Sequence, residues 1–165
     1  MAVSVSPFDR IPRGAVITLD TAPIIYFLQD HPVFAPLFAP VFEAADRGDL
    51  GIVISAVTLA EVLTGPLQAK NEVLTARYRE TLTRSPGWEL WPVDEEVAAT
   101  TARFRAEYKL RTPDAIQVAT AIASGSHALV TNDRRLRKVS GILVLVPLLD
   151  ECGRWFSPRE EPERL

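Results

Sequence analysis

Short apolar runs, each too brief for an ordinary helix, recur along this chain and constrain its fold more than any other feature. Residues 16–19, 52–54, 127–130 and 142–146 are four such runs, and residues 88–91 alternate like a strand with one face buried. Helical patterns lie between them: residues 21–29, about 33–47, 56 to about 64, 67–84, 94 to about 109, and a further helix opening at Thr112. Near-continuous apolar strands belong to sheets covered on both faces, and strand–helix alternation supplies the crossovers that parallel pairing needs. The expectation is an α/β fold, a three-layer α/β/α domain with a mainly parallel sheet of about five strands.

The 165 residues suit one domain with a core over about 16–146, an irregular N-terminal arm and a charged, proline-rich tail. A hydrophobic share of 47% with 24% charged residues is that of an ordinary soluble protein. The apolar runs fall far short of the roughly 18 residues that span a bilayer. Asp9, Arg10 and Pro12 break any secretory apolar core near the start. The single Cys152 excludes an internal disulfide and fits a cytoplasmic protein, with an inert thiol expected.

Three acids stand at element ends or just beyond them, and a fourth, Glu61, lies in the helix leaving another strand. Asp20 closes the first run and opens the next helix, where capping alone would account for it. Glu61 lies on a polar helical stripe with Thr58 and Thr64, where a solvent-facing glutamate is the ordinary outcome. Thr112 suits an N-cap and Pro113 a first helical residue, which sets Asp114 in the first turn near unpaired N–H groups. In that helix Ile116, Ala119, Thr120 and Ala123 form a packed side, and Asp114, Gln117 and Ala121 a neighbouring stripe expected to border a cleft. Asp133 follows the run at 127–130. An open α/β sheet gathers such positions into one crevice at its carboxyl edge.

Four clustered carboxylates need a compensating cation, and a hard divalent metal, Mg²⁺ or Mn²⁺, suits oxygen donors. His31 and His127 are the only histidines and there is no thiolate cluster, so no usual zinc arrangement is available. The net charge of −3 hides an uneven distribution: residues 103–138 carry +5 and the remainder −8. Arg111, Arg134 and Arg135 flank the acids and suit a polyanionic substrate, although solvated helix faces would account for the same charges. A carboxylate-held metal beside basic groups points to phosphodiester hydrolysis, with Thr21 and Thr131 as supporting hydroxyls. Glycine-rich phosphate loops, Gly-x-Gly-x-x-Gly and Gly-x-Ser-x-Gly are absent, and Asp20-Thr21-Ala22 lacks the second aspartate of an Asp-x-Asp phosphatase motif.

The order Asp20-Thr21, Ala60-Glu61-Val62, Thr112-Pro113-Asp114-Ala115-Ile116 with Ala119-Thr120-Ala121, and Leu129-Val130-Thr131-Asn132-Asp133 resembles a PIN-domain ribonuclease, more narrowly the VapC type of toxin from bacterial toxin–antitoxin pairs. The resemblance runs from about residue 16 to 146. It implies that Asp20, Glu61, Asp114 and Asp133 form a catalytic, metal-holding quartet. It also implies Mg²⁺- or Mn²⁺-dependent endonucleolytic cleavage of RNA, a homodimer, and inhibition by a cognate antitoxin. A non-catalytic PIN-like module that binds RNA or protein through the same cleft is the alternative. A phospho-acceptor receiver domain would want an acidic pair after the first strand and a lysine after a late one; Asp20-Thr21 and Val146-Pro147 supply neither.

Overall fold

The computed structural model describes residues 6–147. Strands β1 (Val16–Leu19), β2 (Gly51–Ser55), β3 (Trp88–Trp91), β4 (Ala128–Val130) and β5 (Leu143–Leu145) form one sheet in the order β3-β2-β1-β4-β5. Every neighbouring pair is parallel, with Thr18 opposite both Val53 and Leu129. This is the layered α/β/α fold that the apolar runs require.

Among the described residues six α-helices cover the sheet: α1 (Thr21–Leu28), α2 (Ala35–Asp46), α3 (Ala56–Gln68), α4 (Glu72–Arg84), α5 (Glu95–Tyr108) and α6 (Thr112–Ala123). Alternate strand residues point to opposite faces. Ile17, Leu19, Ile52, Ile54, Ala128 and Val130 pack with Ile24, Phe38, Val41, Phe42, Val62 and Leu82 from α1–α4. On the other face Leu129 meets Phe104 of α5 and Ala115, Val118 and Ala121 of α6. Because both faces are covered over β1, β2 and β4, these central strands have no solvent-facing side, which is why their sequences read as apolar runs.

The chain leaves β1 toward β2 and β3, then crosses through α5 and α6 to β4 on the other side of β1. The order therefore reverses between β1 and β4. At such a switch point the two connections leave the carboxyl edge in opposite directions and open a crevice there. α6 ends by a Schellman motif: Gly125 at φ 66° donates its N–H to the Ile122 carbonyl, and Ser126 donates to that of Ala121. That turn delivers the chain directly into β4.

Several elements depart from the sequence expectation. The helix expected to stop at Gly65-Pro66 continues to Gln68. Pro66 forgoes only its own N–H bond and is buried, while the break comes at Lys70, φ 54°, ahead of Asn71, which caps α4 through Leu74 N. β3 buries neither face: Glu89 and Leu90 are exposed and Trp88 and Trp91 only partly buried, because it is an edge strand. Arg111, not Thr112, is the N-cap of α6, without a side-chain cap bond. The stripe expected to border a cleft does so only at Asp114: α6 is buried continuously from Ala115 to Ala121, Gln117 included, sandwiched between α5 and the sheet. In the N-terminal arm Ser6 caps a 3-10 turn at Pro7–Arg10, and Phe8 is buried 6.1 Å from the Phe38 ring. Cys152 and the tail at 157–165 lie outside the described residues.

Candidate active site

The crevice at the switch point is a cleft of about 610 Å³, lined among others by Asp20, Thr21, Tyr26, Glu61, Thr64, Arg111, Asp114, Asn132 and Asp133. All four acids of the expected quartet thus face one space, though 113 residues separate the first from the last. Asp20 is the residue after β1, and its N–H donates to the Val130 carbonyl at 2.9 Å, which holds it beside the end of β4. Asp133 comes three residues after β4, and Asp114 sits in the first turn of α6. Glu61 reaches the same space from α3.

The inner two acids are held by threonines. Asp20 Oδ1 accepts the Thr21 N–H at 2.8 Å as the cap of α1, and Oδ2 accepts the Thr131 hydroxyl at 2.6 Å. Thr131 Oγ1 in turn accepts the Asp133 N–H at 3.0 Å. Glu61 Oε2 accepts the Thr21 hydroxyl at 2.5 Å. The outer two are held by arginines. Arg135 clamps Asp133 through Nε at 2.9 Å and Nη2 at 2.6 Å, and its Nη2 lies 3.8 Å from Asp114. Arg111 Nε meets Asp114 at 3.0 Å. Arg134 is exposed and is not among the residues lining the cleft.

This division shows in the electrostatics. Burial pushes the Asp20 carboxyl above the ordinary carboxylate range; bonds from Thr131 and Thr21 oppose the shift, and the charges of Asp114 and Glu61 add to it. Asp133 is held below that range, first by its hydrogen bond with Arg135. Among the described residues Asp20 and Glu61 have no ion-pair partner, while Asp114 and Asp133 have arginines.

A hard divalent cation fits the donor chemistry: four carboxylates and two threonine hydroxyls, all oxygen, with Asp20 and Glu61 without an ion-pair partner among the described residues. Among the described residues no group of three or more acidic, histidine or cysteine side chains is gathered tightly enough to hold a metal as the side chains stand. Two of the four carboxylates are engaged by arginines whose own side chains are 71% and 64% exposed. Ion pairs whose arginine lies largely in solvent are screened and weak.

The PIN domain family model matches residues 17–142, most of the chain, from the second residue of β1 to the residue before β5. The chain belongs to the PIN domain family. No curated protein matches it. Among solved structures, VapBC2 from Rickettsia felis bound to a DNA fragment from the promoter aligns at TM-score 0.64 and 18% identity, covering 79% of this chain and 98% of the other. DNA-bound VapBC from Salmonella typhimurium aligns at 0.62 and 23%, covering 80% and 98%. VapC20 from Mycobacterium tuberculosis, described as a Sarcin-Ricin loop cleaving toxin, aligns at 0.51 and 15%, covering 68% and 86%. These likenesses are likenesses of fold.

This PIN domain also brings residues to the cleft that sequence reasoning did not select. Tyr26, one helical repeat and a half into α1, receives an Asn132 Nδ2–H bond at 3.2 Å on its hydroxyl. Thr58 is fully buried behind Thr21, and Gln117 is buried behind both. Its place on one helical stripe with Asp114 is the sequence signal Gln117 carries, but helical periodicity does not tell that the amide is buried behind the cleft.

Proposed function

We propose that this chain is a Mg²⁺- or Mn²⁺-dependent endoribonuclease, the toxin of a VapBC-type toxin–antitoxin pair, acting in the cytoplasm as a homodimer and inhibited by a cognate antitoxin. The whole chain is read as one PIN-like domain with its core at about 16–146. The observation that carries the proposal is the meeting of Asp20, Glu61, Asp114 and Asp133 in one cleft, with Asp20 and Glu61 held by neutral donors. Its support from relatives is the toxin–antitoxin fold, including that of a toxin described as cleaving the Sarcin-Ricin loop.

In this reading the four carboxylates hold the metal, with Thr131 and Thr21 orienting Asp20 and Glu61. The chemistry that a divalent ion would supply there is activation of water and stabilisation of charge on the phosphate and the leaving oxygen. Arg111 and Arg135 meet the phosphates at the rim, and Arg134 extends that basic edge outside it. Phosphate contacts of this kind bring affinity without base specificity.

The deciding experiment incubates the purified chain, free of any copurifying partner, with total cellular RNA in Mn²⁺, Mg²⁺ or EDTA, beside Asp20→Asn and Asp114→Asn. Discrete metal-dependent fragments from the wild type, absent with both folded variants, are expected. Full activity in both variants would sink the assignment. One observation favours a second reading, a non-catalytic RNA- or protein-binding module: Asp114 and Asp133 already have arginine partners. That reading expects RNA retention without cleavage under every metal condition.

A further inference from the structure

We infer that Gln117 is a positioning residue of this cleft: its buried amide sets the direction of a hydroxyl chain that aims the Thr21 proton at Glu61. The inference rests on the nuclease reading and deepens it. Gln117 is 2% exposed, and its Nε2 donates to Thr58 Oγ1 at 2.8 Å and lies 3.4 Å from Thr21 Oγ1. The two threonine oxygens are 3.1 Å apart, and Thr21 donates to Glu61 Oε2 at 2.5 Å.

Proton counting gives the direction. Each hydroxyl owns one proton, while an ionised carboxylate only accepts. Once Thr21 has donated to Glu61, its oxygen can only accept from what lies behind it. An amide nitrogen offers two protons and no lone pair for the purpose: Gln117 donates to Thr58 Oγ1 and toward Thr21 Oγ1, and with the Thr58 oxygen so occupied the single Thr21 proton, which can reach either Thr58 or Glu61, goes to Glu61. The Thr131 arm has the same logic, since the Asp133 N–H donates to Thr131 and Thr131 to Asp20. Each inner carboxylate is thus held by a threonine whose own oxygen is filled from behind by an N–H group.

Gln117 Oε1 is buried without a hydrogen-bond partner among the described residues. An apolar side chain of similar size would avoid that desolvation cost. The presence of an amide here therefore answers to its donors and not to packing.

The test compares Gln117→Met and Thr58→Val with the wild type and Asp20→Asn in the full chain. Mn²⁺ affinity is measured by titration calorimetry, kcat and KM on an RNA oligonucleotide carrying a mapped cut site, and folding by thermal melting. Supporting groups behind metal ligands typically contribute tenfold or more. Both variants are expected to lose about tenfold in Mn²⁺ affinity and in kcat, with KM within about twofold and melting unchanged or raised. Their double variant should lose no more than either alone, because both cut the same chain. Wild-type-like Mn²⁺ binding and kcat in the folded variants, with binding lost in Asp20→Asn, would overturn the inference and leave the nuclease standing. A wild type that neither binds Mn²⁺ nor cuts RNA would overturn both. If Gln117→Met fails to fold, Thr58→Val decides alone.

Discussion

At the scale of single residues, the cleft is built from two kinds of carboxylate. Asp20 and Glu61 are held by neutral hydroxyls, which orient a carboxylate without cancelling its charge. Asp114 and Asp133 are held by arginines, which do cancel it. The first kind keeps a cation attractive at the floor; the second leaves groups that basic rim residues can release to a competing ion. Thr131 is the clearest test, because it is fully buried and bridges Asp133 N and Asp20. Thr131→Val keeps the shape and removes both bonds. It should lower metal-dependent turnover by about tenfold or more while costing about 1–3 kcal/mol for the unpaired partners. Single-turnover RNA cleavage and urea melts measure the two effects separately, and unchanged turnover would remove Thr131 from the site.

At the scale of elements, each acid is delivered by a local rule and placed by a distant contact. Asp20 caps α1, Asp133 caps the 3-10 turn Arg134–Lys138, and Asp114 takes the first turn of α6. The edge opposite the cleft is fastened differently. Arg13 and Arg47 both reach Asp49, tying the N-terminal arm and the end of α2 to the entry of β2. The Arg47 hydrogen bond first, then the neighbouring positive charges, hold the Asp49 carboxyl below its ordinary value of 3.8. A carboxylate depressed by folding contributes stability above its unfolded pKa, and the contribution disappears as pH falls through the folded one. Asp49→Asn should therefore melt slightly below the wild type at pH 7, and the gap should close as both are taken below about pH 4. A gap that persists in acid would show that Asp49 acts by shape and not by charge.

At the scale of the whole molecule, the parallel sheet makes the site by reversing its order between β1 and β4. A ligand that binds only the assembled cleft stabilises the fold by mass action, about 2.7 kcal/mol at a hundredfold excess over Kd. For a chain of this size that is a rise of roughly 5–10 °C in melting temperature. Mn²⁺ at that excess should produce it in the wild type and not in Asp20→Asn; equal shifts in both would place the ion elsewhere.

Much of this was legible in the chain. Apolar runs of three to five residues separated by capped helical patterns determine a covered, parallel α/β sheet, because continuous burial and strand length are local properties. The same local signals mark Asp20, Asp114 and Asp133 as element ends, and the PIN resemblance adds Glu61. What only the tertiary structure decided depends on partners far apart in sequence: Thr131 on Asp20 across 111 residues, Gln117 on Thr58 across 59, Thr21 on Glu61 across 40. The sandwiching of α6, which buries Gln117 where periodicity leaves it beside a cleft, is of the same kind. So is the strand order that makes Asp20 and Thr131 neighbours. Periodicity reports which face of an element is apolar, but a hydrogen bond across the sheet exists only once the crossovers have chosen which strand ends lie side by side.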